Sequence, residues 1–154
     1  MAARIMTKFT VLGQPQGKQR ARTVKRGSFI HSYTPIKTVE YEHRITGEYK
    51  KTCRNFYGFS PLQIRVFAYV EIPKSWSKKV RQDVDLGLKQ PTTKPDCDNI
   101  LKVVFDALNG VAYTDDKQII SAEIYKIYSA DPRLEVTICP ISNETQNKEN
   151  IHGG

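Results

Sequence analysis

Residues 62–72 contain the feature that most restricts how this chain can fold. Apolar side chains occupy every second position from Leu62 to Ile72, and polar residues such as Arg65 and Glu71 lie between them. A period of two is typical of a β-strand that buries one face and exposes the other. Residues 62–72 are therefore predicted to form a strand that lines the core.

Helices and further strands are indicated on both sides of this strand. Thr34 and Pro35 offer an N-cap and a first helical position to a helix that runs to Lys51. The other predicted elements are strands at 5–12, 119–128 and 133–139, a basic hairpin after the first strand, and helices at 77–86 and 98–109. Because these elements follow no strict βαβ order, we expect an α+β domain with one mixed β-sheet covered by helices.

Length and composition favour one compact domain. The chain has 154 residues, of which 39% are hydrophobic and 26% charged, and we assign residues 1–141 to the domain and 142–154 to a flexible polar tail. No apolar run reaches the roughly 18 residues that a membrane helix needs, and residues 1–20 lack a secretory signal pattern. A cytoplasmic protein without membrane contact is expected.

Cys53, Cys97 and Cys139 share no CxxC spacing, so neither disulfides nor a zinc site are predicted.

Positive charge is concentrated near the start of the chain. The net charge is +8, and residues 1–39 contain no Asp or Glu, whereas acidic and basic residues balance in the rest of the chain. Within the basic segment, residues 18–26, five cations lie close together: Lys18, Arg20, Arg22, Lys25 and Arg26. Such a density attracts a polyanion, and nucleic acid is the obvious partner. The alternative is a solvated basic loop that only keeps the protein soluble.

Acidic residues are concentrated later in the chain. Asp96 and Asp98 stand at the start of the predicted helix 98–109, and Asp115 and Asp116 follow it in a loop. Carboxylate oxygens are ligands that Mg²⁺ prefers, and Mg²⁺ commonly takes only one or two of them from a protein. The residues therefore predict a magnesium site.

A purely structural interpretation stays open for the same residues. Asp98 could cap its helix, and Lys102, four residues later, could form an ordinary ion pair with it. Asp106 is expected to be a surface acid. An EF-hand is excluded, because the sixth position counted from Asp96 is Leu101 where that loop requires glycine. The chain also lacks a glycine-rich phosphate loop.

Three stretches of the sequence resemble a known family. KPDCDNILKVVFDALNG, VAYTDDKQI and the earlier GQPQGKQRAR are similar to the signature of the RusA family of Holliday-junction resolvases, and the resemblance covers roughly residues 8–140. It implies a RusA-like fold and a small homodimeric, magnesium-dependent endonuclease that cuts four-way DNA junctions by paired symmetric nicks. Ala21 stands where relatives commonly have proline, and Cys97 replaces a usual aliphatic residue.

The resemblance also implies roles for individual residues. Asp96, Asp98 and Asp116 match the essential metal-binding acids, Lys102 matches the catalytic lysine, and Asp115 is a secondary candidate ligand. We therefore expect a phosphodiester hydrolase that acts on four-way and other branched DNA in recombination, repair or replication. One alternative is a non-catalytic DNA-binding protein that uses the basic segment and whose acids are caps and turns. Another is a nuclease directed at RNA.

Overall fold

The structure is a computed structural model that describes residues 5–142. In chain order its elements are β1 (Thr7–Leu12), β2 (Arg22–Arg26), β3 (Phe29–Tyr33), α1 (Ile36–Thr52), β4 (Leu62–Glu71), α2 (Lys78–Asp85), α3 (Cys97–Leu108), a 3-10 turn (Asp116–Gln118), β5 (Ile119–Ser129) and β6 (Arg133–Pro140). The polar tail predicted for residues 142–154 lies outside the described residues, apart from Ser142.

Four strands form one mixed sheet in the order β1-β6-β4-β5. β6 pairs antiparallel with β1 and with β4, whereas β4 and β5 run parallel. A parallel pair needs a long crossover connection, and α2 and α3 both lie in that connection. β2 and β3 form a separate two-stranded sheet. The predicted α+β class with a mixed sheet and covering helices is confirmed.

The core lies between one face of the sheet and the helices α1 and α3. The alternation predicted for β4 is observed, because its apolar positions from Leu62 to Val70 are buried, while Ile72 lies beyond the strand and is only partly buried. The helices contribute buried residues at helical spacing: Tyr41, Ile45 and Tyr49 from α1, and Ile100, Val103, Val104, Ala107 and Leu108 from α3. Burial of each Val, Leu or Ile side chain in this set stabilises the fold by about 1.5–3 kcal/mol, so this packing fixes the position of α3.

Two helices begin at residues other than those predicted. The N-cap of α1 is Pro35, not Thr34, because the carbonyl of Pro35 accepts the first helical hydrogen bonds, from the N–H groups of Thr38 and Val39. The N-cap of α3 is Asp96, not Asp98, for the same reason: its carbonyl accepts from the N–H of Ile100 at 3.1 Å. A capping residue has extended backbone dihedrals, which Asp96 has at φ −74° and ψ 147°.

The basic hairpin predicted after β1 is present as β2 and β3. All ten of its strand residues are exposed, so it projects from the body of the protein. A two-residue turn joins the strands, and its first residue, Gly27, has a φ of +60°, as in type II′ turns. The hairpin therefore presents the cations of β2 to solvent.

The helices are short. Among residues 5–142, none is long and apolar enough to cross a membrane. Cys53, Cys97 and Cys139 each carry a free thiol.

Candidate active site

The N-terminal turn of α3, residues 96–99, carries two carboxylates that the helix itself does not use. Asp96 is the N-cap residue, yet its side chain makes no capping hydrogen bond, and Asp98 lies in the first turn. Both residues are exposed, and the side chain of Asp98 is 70% exposed. An N-cap aspartate normally accepts a hydrogen bond from a free N–H of the first turn. The carboxylates of Asp96 and Asp98 are therefore accessible to a ligand from solvent.

Lys102 lies one helical turn after Asp98 on the same face of α3. Its Nζ is 3.6 Å from Oδ2 of Asp98, and the lysine side chain is 61% exposed. An exposed pair of this kind contributes between about 0 and 1 kcal/mol to stability. The ammonium group can therefore leave Asp98 for another anion at little cost.

Asp115 and Asp116 lie in the loop that joins α3 to β5. Asp115 caps the 3-10 turn: its carboxylate accepts the N–H of Lys117 at 3.0 Å, and its own N–H donates to Oε1 of Gln118 at 3.0 Å. The Gln118 amide also donates to the carbonyls of Gly58 and Ser60 at 2.8 Å. This reciprocal capping box fixes the loop at the start of β5, and the Gln118 amide ties it to the segment before β4. Its D-x-x-Q spacing was visible in the sequence, but Gln118 was not recognised as a site residue.

The two neighbouring carboxyls have opposite electrostatic environments. The backbone N–H of Lys117 lowers the pKa of Asp115 below its usual value. Burial raises the pKa of Asp116, and the charges of Asp115 and Asp106 raise it further. A hydrogen bond to the charged form favours ionisation, whereas burial and like charges oppose it. Asp115 is thus stabilised as an anion by the turn, and Asp116 is not.

Asp106, predicted to be a surface acid, has a specific partner. Its carboxylate forms an ion pair with the ammonium group of Lys18, which is 88 residues away in the chain. Asp106 is also near enough to Asp116 to influence its pKa. Asp106 in the second half of α3 therefore interacts electrostatically both with Asp116 in the following loop and with Lys18.

The predicted metal ligands were tested against the positions of their side chains. Within residues 5–142, no group of three or more His, Cys, Asp or Glu side chains is arranged so that it could hold a metal ion. Mg²⁺ does not require such a cage, because it usually keeps several waters and binds one or two carboxylates together with substrate phosphate. The accessible oxygens of Asp96 and Asp98 fit this donor chemistry. Asp115 and Asp116 form a second pair of carboxylates, and within residues 5–142 the structure does not bring the two pairs together into one metal-binding group.

A basic cleft of about 1010 Å³ adjoins Asp96. Its walls come from the loop after β1, the first half of α1 and the N-terminal turn of α3. The charged residues that line it are Lys18, Arg20, Arg22, Lys37, Arg44 and Lys94, with Glu40 and Asp96 as the acids. Three of the five cations predicted to bind DNA therefore line the cleft, whereas Lys25 and Arg26 lie further along the hairpin.

Sequence reasoning did not identify three of the cations in the basic cleft. Lys37 and Arg44 come from α1, and Lys94 comes from the segment before α3. Arg44 is held in place because its guanidinium donates to the carbonyl of Leu12 and lies 5.8 Å from the centroid of the Tyr41 ring. Lys37 and Arg44 belong to none of the motifs described above, and Lys94 begins the KPDCDNILK stretch without a role assigned to it, because the cleft is formed only when the helices pack.

Comparison with known proteins adds two findings. The family model described as "Endodeoxyribonuclease RusA" matches residues 13–139. The chain is also 36% identical over 137 residues to "Uncharacterized protein YqaN" of Bacillus subtilis (strain 168), a match that covers 88% of this chain and 96% of the relative. The matched region includes the basic segment, the N-terminal turn of α3 and the loop with Asp115 and Asp116.

Proposed function

Because the chain belongs to the RusA family of endodeoxyribonucleases, we propose that it is a magnesium-dependent enzyme that resolves four-way DNA junctions by paired symmetric nicks. The predicted family is confirmed, and the family implies Holliday-junction resolution and a general dependence on divalent metal. The choice of Mg²⁺, the paired nicks, the homodimer and a cytoplasmic site of action are parts of the proposal. We place the endonuclease domain at residues 1–141, which include the matched residues 13–139.

One observation supports this function most directly. Asp96 and Asn99, from the N-terminal turn of α3, line the same cleft as Arg20 and Arg22 of the basic segment. Phosphates are bound by arginine and lysine, and a metal ion held by carboxylates beside the phosphate assists hydrolysis of a phosphodiester. The cleft places candidate groups for both tasks on one surface. A solubility loop beside unrelated helix caps would not need this arrangement.

The acids and Lys102 have distinct roles in the proposed reaction. Asp96, Asp98 and Asp116 would hold Mg²⁺, with Asp115 as a further candidate ligand. When bound, Mg²⁺ supplies a Lewis acid for a phosphate oxygen and lowers the pKa of a coordinated water. The ammonium group of Lys102 exchanges Asp98 for the phosphate and stabilises the negative charge that develops there. The leaving group is the 3′ oxygen of the cleaved strand.

The remaining cations bind and orient the DNA. Arg20, Arg22, Lys37 and Lys94 line the basic cleft and are suited to phosphate contacts, and Lys25 and Arg26 extend the positive surface along the hairpin. A four-way junction has two-fold symmetry, and resolution requires two opposed cuts. A homodimer with two identical active sites matches that symmetry.

The function is tested by incubating purified protein with a four-way junction and, separately, with its linear duplex arms, each with and without Mg²⁺. We expect symmetric nicks in the junction only, and only with Mg²⁺. The variant Asp98→Asn should make no nicks, whereas its matched control Asp85→Asn, a change at an exposed aspartate on α2, should cut normally. Binding without any cleavage would instead favour the non-catalytic DNA-binding protein, and cleavage of junctions built from RNA strands would favour an RNA-directed nuclease.

A further inference from the structure

Gly17, Lys18 and Gln19 connect β1 to the DNA-binding arginines, and their main chain is tied to both core helices. The N–H of Lys18 donates to the carbonyl of Asn99 in α3 at 2.9 Å. The N–H of Gln19 donates to Oγ1 of Thr38 in α1 at 3.2 Å. The position of this anchored segment, residues 17–19, is therefore set by α1 and α3 together.

Gly17 permits the close approach to α3. A Cβ atom at this position would lie 2.9 Å from Cβ of Asn99 and 3.3 Å from Cβ of Pro95. Carbon atoms in contact are normally about 3.5–4.0 Å apart, so any side chain here would push the segment away from α3. Pro95 and Asn99 flank Asp96 in the chain. The contact at Gly17 thus involves one residue on each side of a candidate metal ligand in the chain.

The side chain of Lys18 reinforces the same junction. Its ammonium group forms an ion pair with Asp106 of α3 and lies 3.6 Å from Oε1 of Glu42 of α1. That Glu42 oxygen is buried and makes no hydrogen bond within the part of the chain that the structure describes. A buried carboxylate without a nearby cation is strongly destabilising. Both acids therefore compete with a DNA phosphate for the ammonium group of Lys18, although this residue is part of the cleft wall.

We propose that Lys18 is a positioning residue and not a phosphate contact: it bridges α1 and α3 and fixes Arg20 and Arg22 relative to Asp96. This inference rests on the proposed junction-cleaving function and changes the role that the sequence predicted for Lys18. Arg20 is exposed and belongs to the cleft wall, whereas the side chain of Lys18 is 31% exposed and engaged by two carboxylates. Two neighbouring cations of the same segment thus have different tasks.

The two tasks are separated by comparing Lys18→Met with Arg20→Met. Binding to a four-way junction is measured over a range of salt concentrations without divalent metal, and cleavage is measured as a single-turnover rate with Mg²⁺ at saturating protein. Loss of one phosphate contact lowers the log–log salt slope by about 0.9, and we expect that change for Arg20→Met only. Lys18→Met should keep the slope of the wild type and slow cleavage on the order of 10- to 100-fold, because small misplacements of reacting groups are costly.

A pair of glycine variants tests the same positioning without removing a charge. Gly17→Ala should also slow cleavage at an unchanged salt slope. Gly47→Ala is the control, because a Cβ atom at Gly47 in α1 would meet nothing within 4 Å. This variant should change neither the cleavage rate nor the salt slope. Circular dichroism and thermal unfolding check that each variant is folded.

The outcomes distinguish this inference from the proposed function. A wild-type protein that cuts no junction would refute the function, and the salt slopes would still decide whether Lys18 contacts phosphate. If Lys18→Met lowers the salt slope of junction binding as much as Arg20→Met does, the positioning role is overturned. The role is also overturned if the wild type cuts and both Lys18→Met and Gly17→Ala cut within threefold of its saturated rate.

Discussion

The chain carries two pairs of neighbouring aspartates that look alike in the sequence but are used differently in the fold. In the N-terminal turn of α3, Asp96 makes no capping hydrogen bond and Asp98 has only a loose pair with Lys102. In the loop before β5, the carboxylate of Asp115 is engaged by the turn it caps, and Asp116 is partly buried beside it. An aspartate that closes a turn is explained by structure alone. An exposed aspartate at a helix start that caps nothing is not.

This difference divides the roles of the four acids. Metal binding is expected to depend most on Asp96 and Asp98, because both side chains are exposed and Asp96 lines the basic cleft. Asp115 is expected to act chiefly by holding the loop, and so by placing Asp116.

The largest expected effect is that of Asp96→Asn. Asparagine has nearly the same volume and is an equally good N-cap residue, so the helix should be unaffected, but the ligand charge is lost. Cleavage of a four-way junction should be abolished, while junction binding without metal stays within a few-fold of the wild type. Gel assays of cleavage and binding, with Asp85→Asn as control, check this. Cleavage at the wild-type rate would remove Asp96 from the metal site.

The next effect is that of Lys102→Ala. If Lys102 only pairs with Asp98, its removal should cost well under about 1 kcal/mol of unfolding free energy and leave cleavage almost unchanged. We expect instead a single-turnover rate about 10²-fold lower with normal folding and binding, because a charge that stabilises the transition state is lost. Lys102→Arg should restore the rate only partly, since a planar guanidinium places its charge differently. A rate for Lys102→Ala within threefold of the wild type would contradict the catalytic role.

A smaller effect is expected at Asp115, where the capping hydrogen bond, and not the charge, is predicted to stabilise the loop. Asp115→Ala removes the acceptor for the N–H of Lys117 and should lower Tm by a few degrees, whereas Asp115→Asn retains an oxygen acceptor and should not. Thermal unfolding of the two variants beside the wild type measures the difference. Equal loss of Tm in both would mean that the charge of Asp115, and not its capping geometry, stabilises the loop.

The smallest effect is one on stability, and it concerns the dependence of Tm on pH at Asp116. Because burial and neighbouring charges raise its pKa in the folded protein above the ordinary 3.8, the ionised carboxylate opposes folding at neutral pH. This penalty disappears as the pH falls below the ordinary value and the group is protonated in both states. Asp116→Asn should therefore raise Tm slightly at pH 7, by no more than about 3 °C, with no gain near pH 3. A lower Tm at pH 7 would show that the charge of Asp116 is stabilised in the fold.

Sequence patterns predicted the elements better than the contacts between them. The alternation around Val66 and the helical spacing of Ile100 and Val104 are local signals of burial, and both elements were predicted near their observed bounds. The N-cap of α3 was predicted at Asp98 and is observed at Asp96. The two aspartates are equally good capping residues in the sequence, and only the backbone conformation distinguishes them. Helix ends are commonly uncertain by one or two residues for this reason.

The candidate site was predictable where residues are neighbours in the chain and not where packing brings them together. The resemblance identified Asp98 and Lys102, which lie one turn apart. The pair formed by Lys18 and Asp106 spans 88 residues, and nothing in either local sequence indicates it. Lys37 likewise joins the basic cleft only because α1 packs beside α3.

We expect metal-dependent cleavage to depend on the exposed carboxylates of Asp96 and Asp98 in α3, and not on the carboxylate of Asp115 that caps the loop. The most direct test is the single-turnover cleavage rate of a four-way junction as a function of Mg²⁺ concentration for wild type, Asp98→Asn and Asp115→Asn. We predict that Asp98→Asn shows no cleavage at any Mg²⁺ concentration and that Asp115→Asn keeps a midpoint within about threefold of the wild type, because one further carboxylate is not essential to a Mg²⁺ site. Metal-dependent cleavage that survives in Asp98→Asn but is lost in Asp115→Asn would contradict the claim.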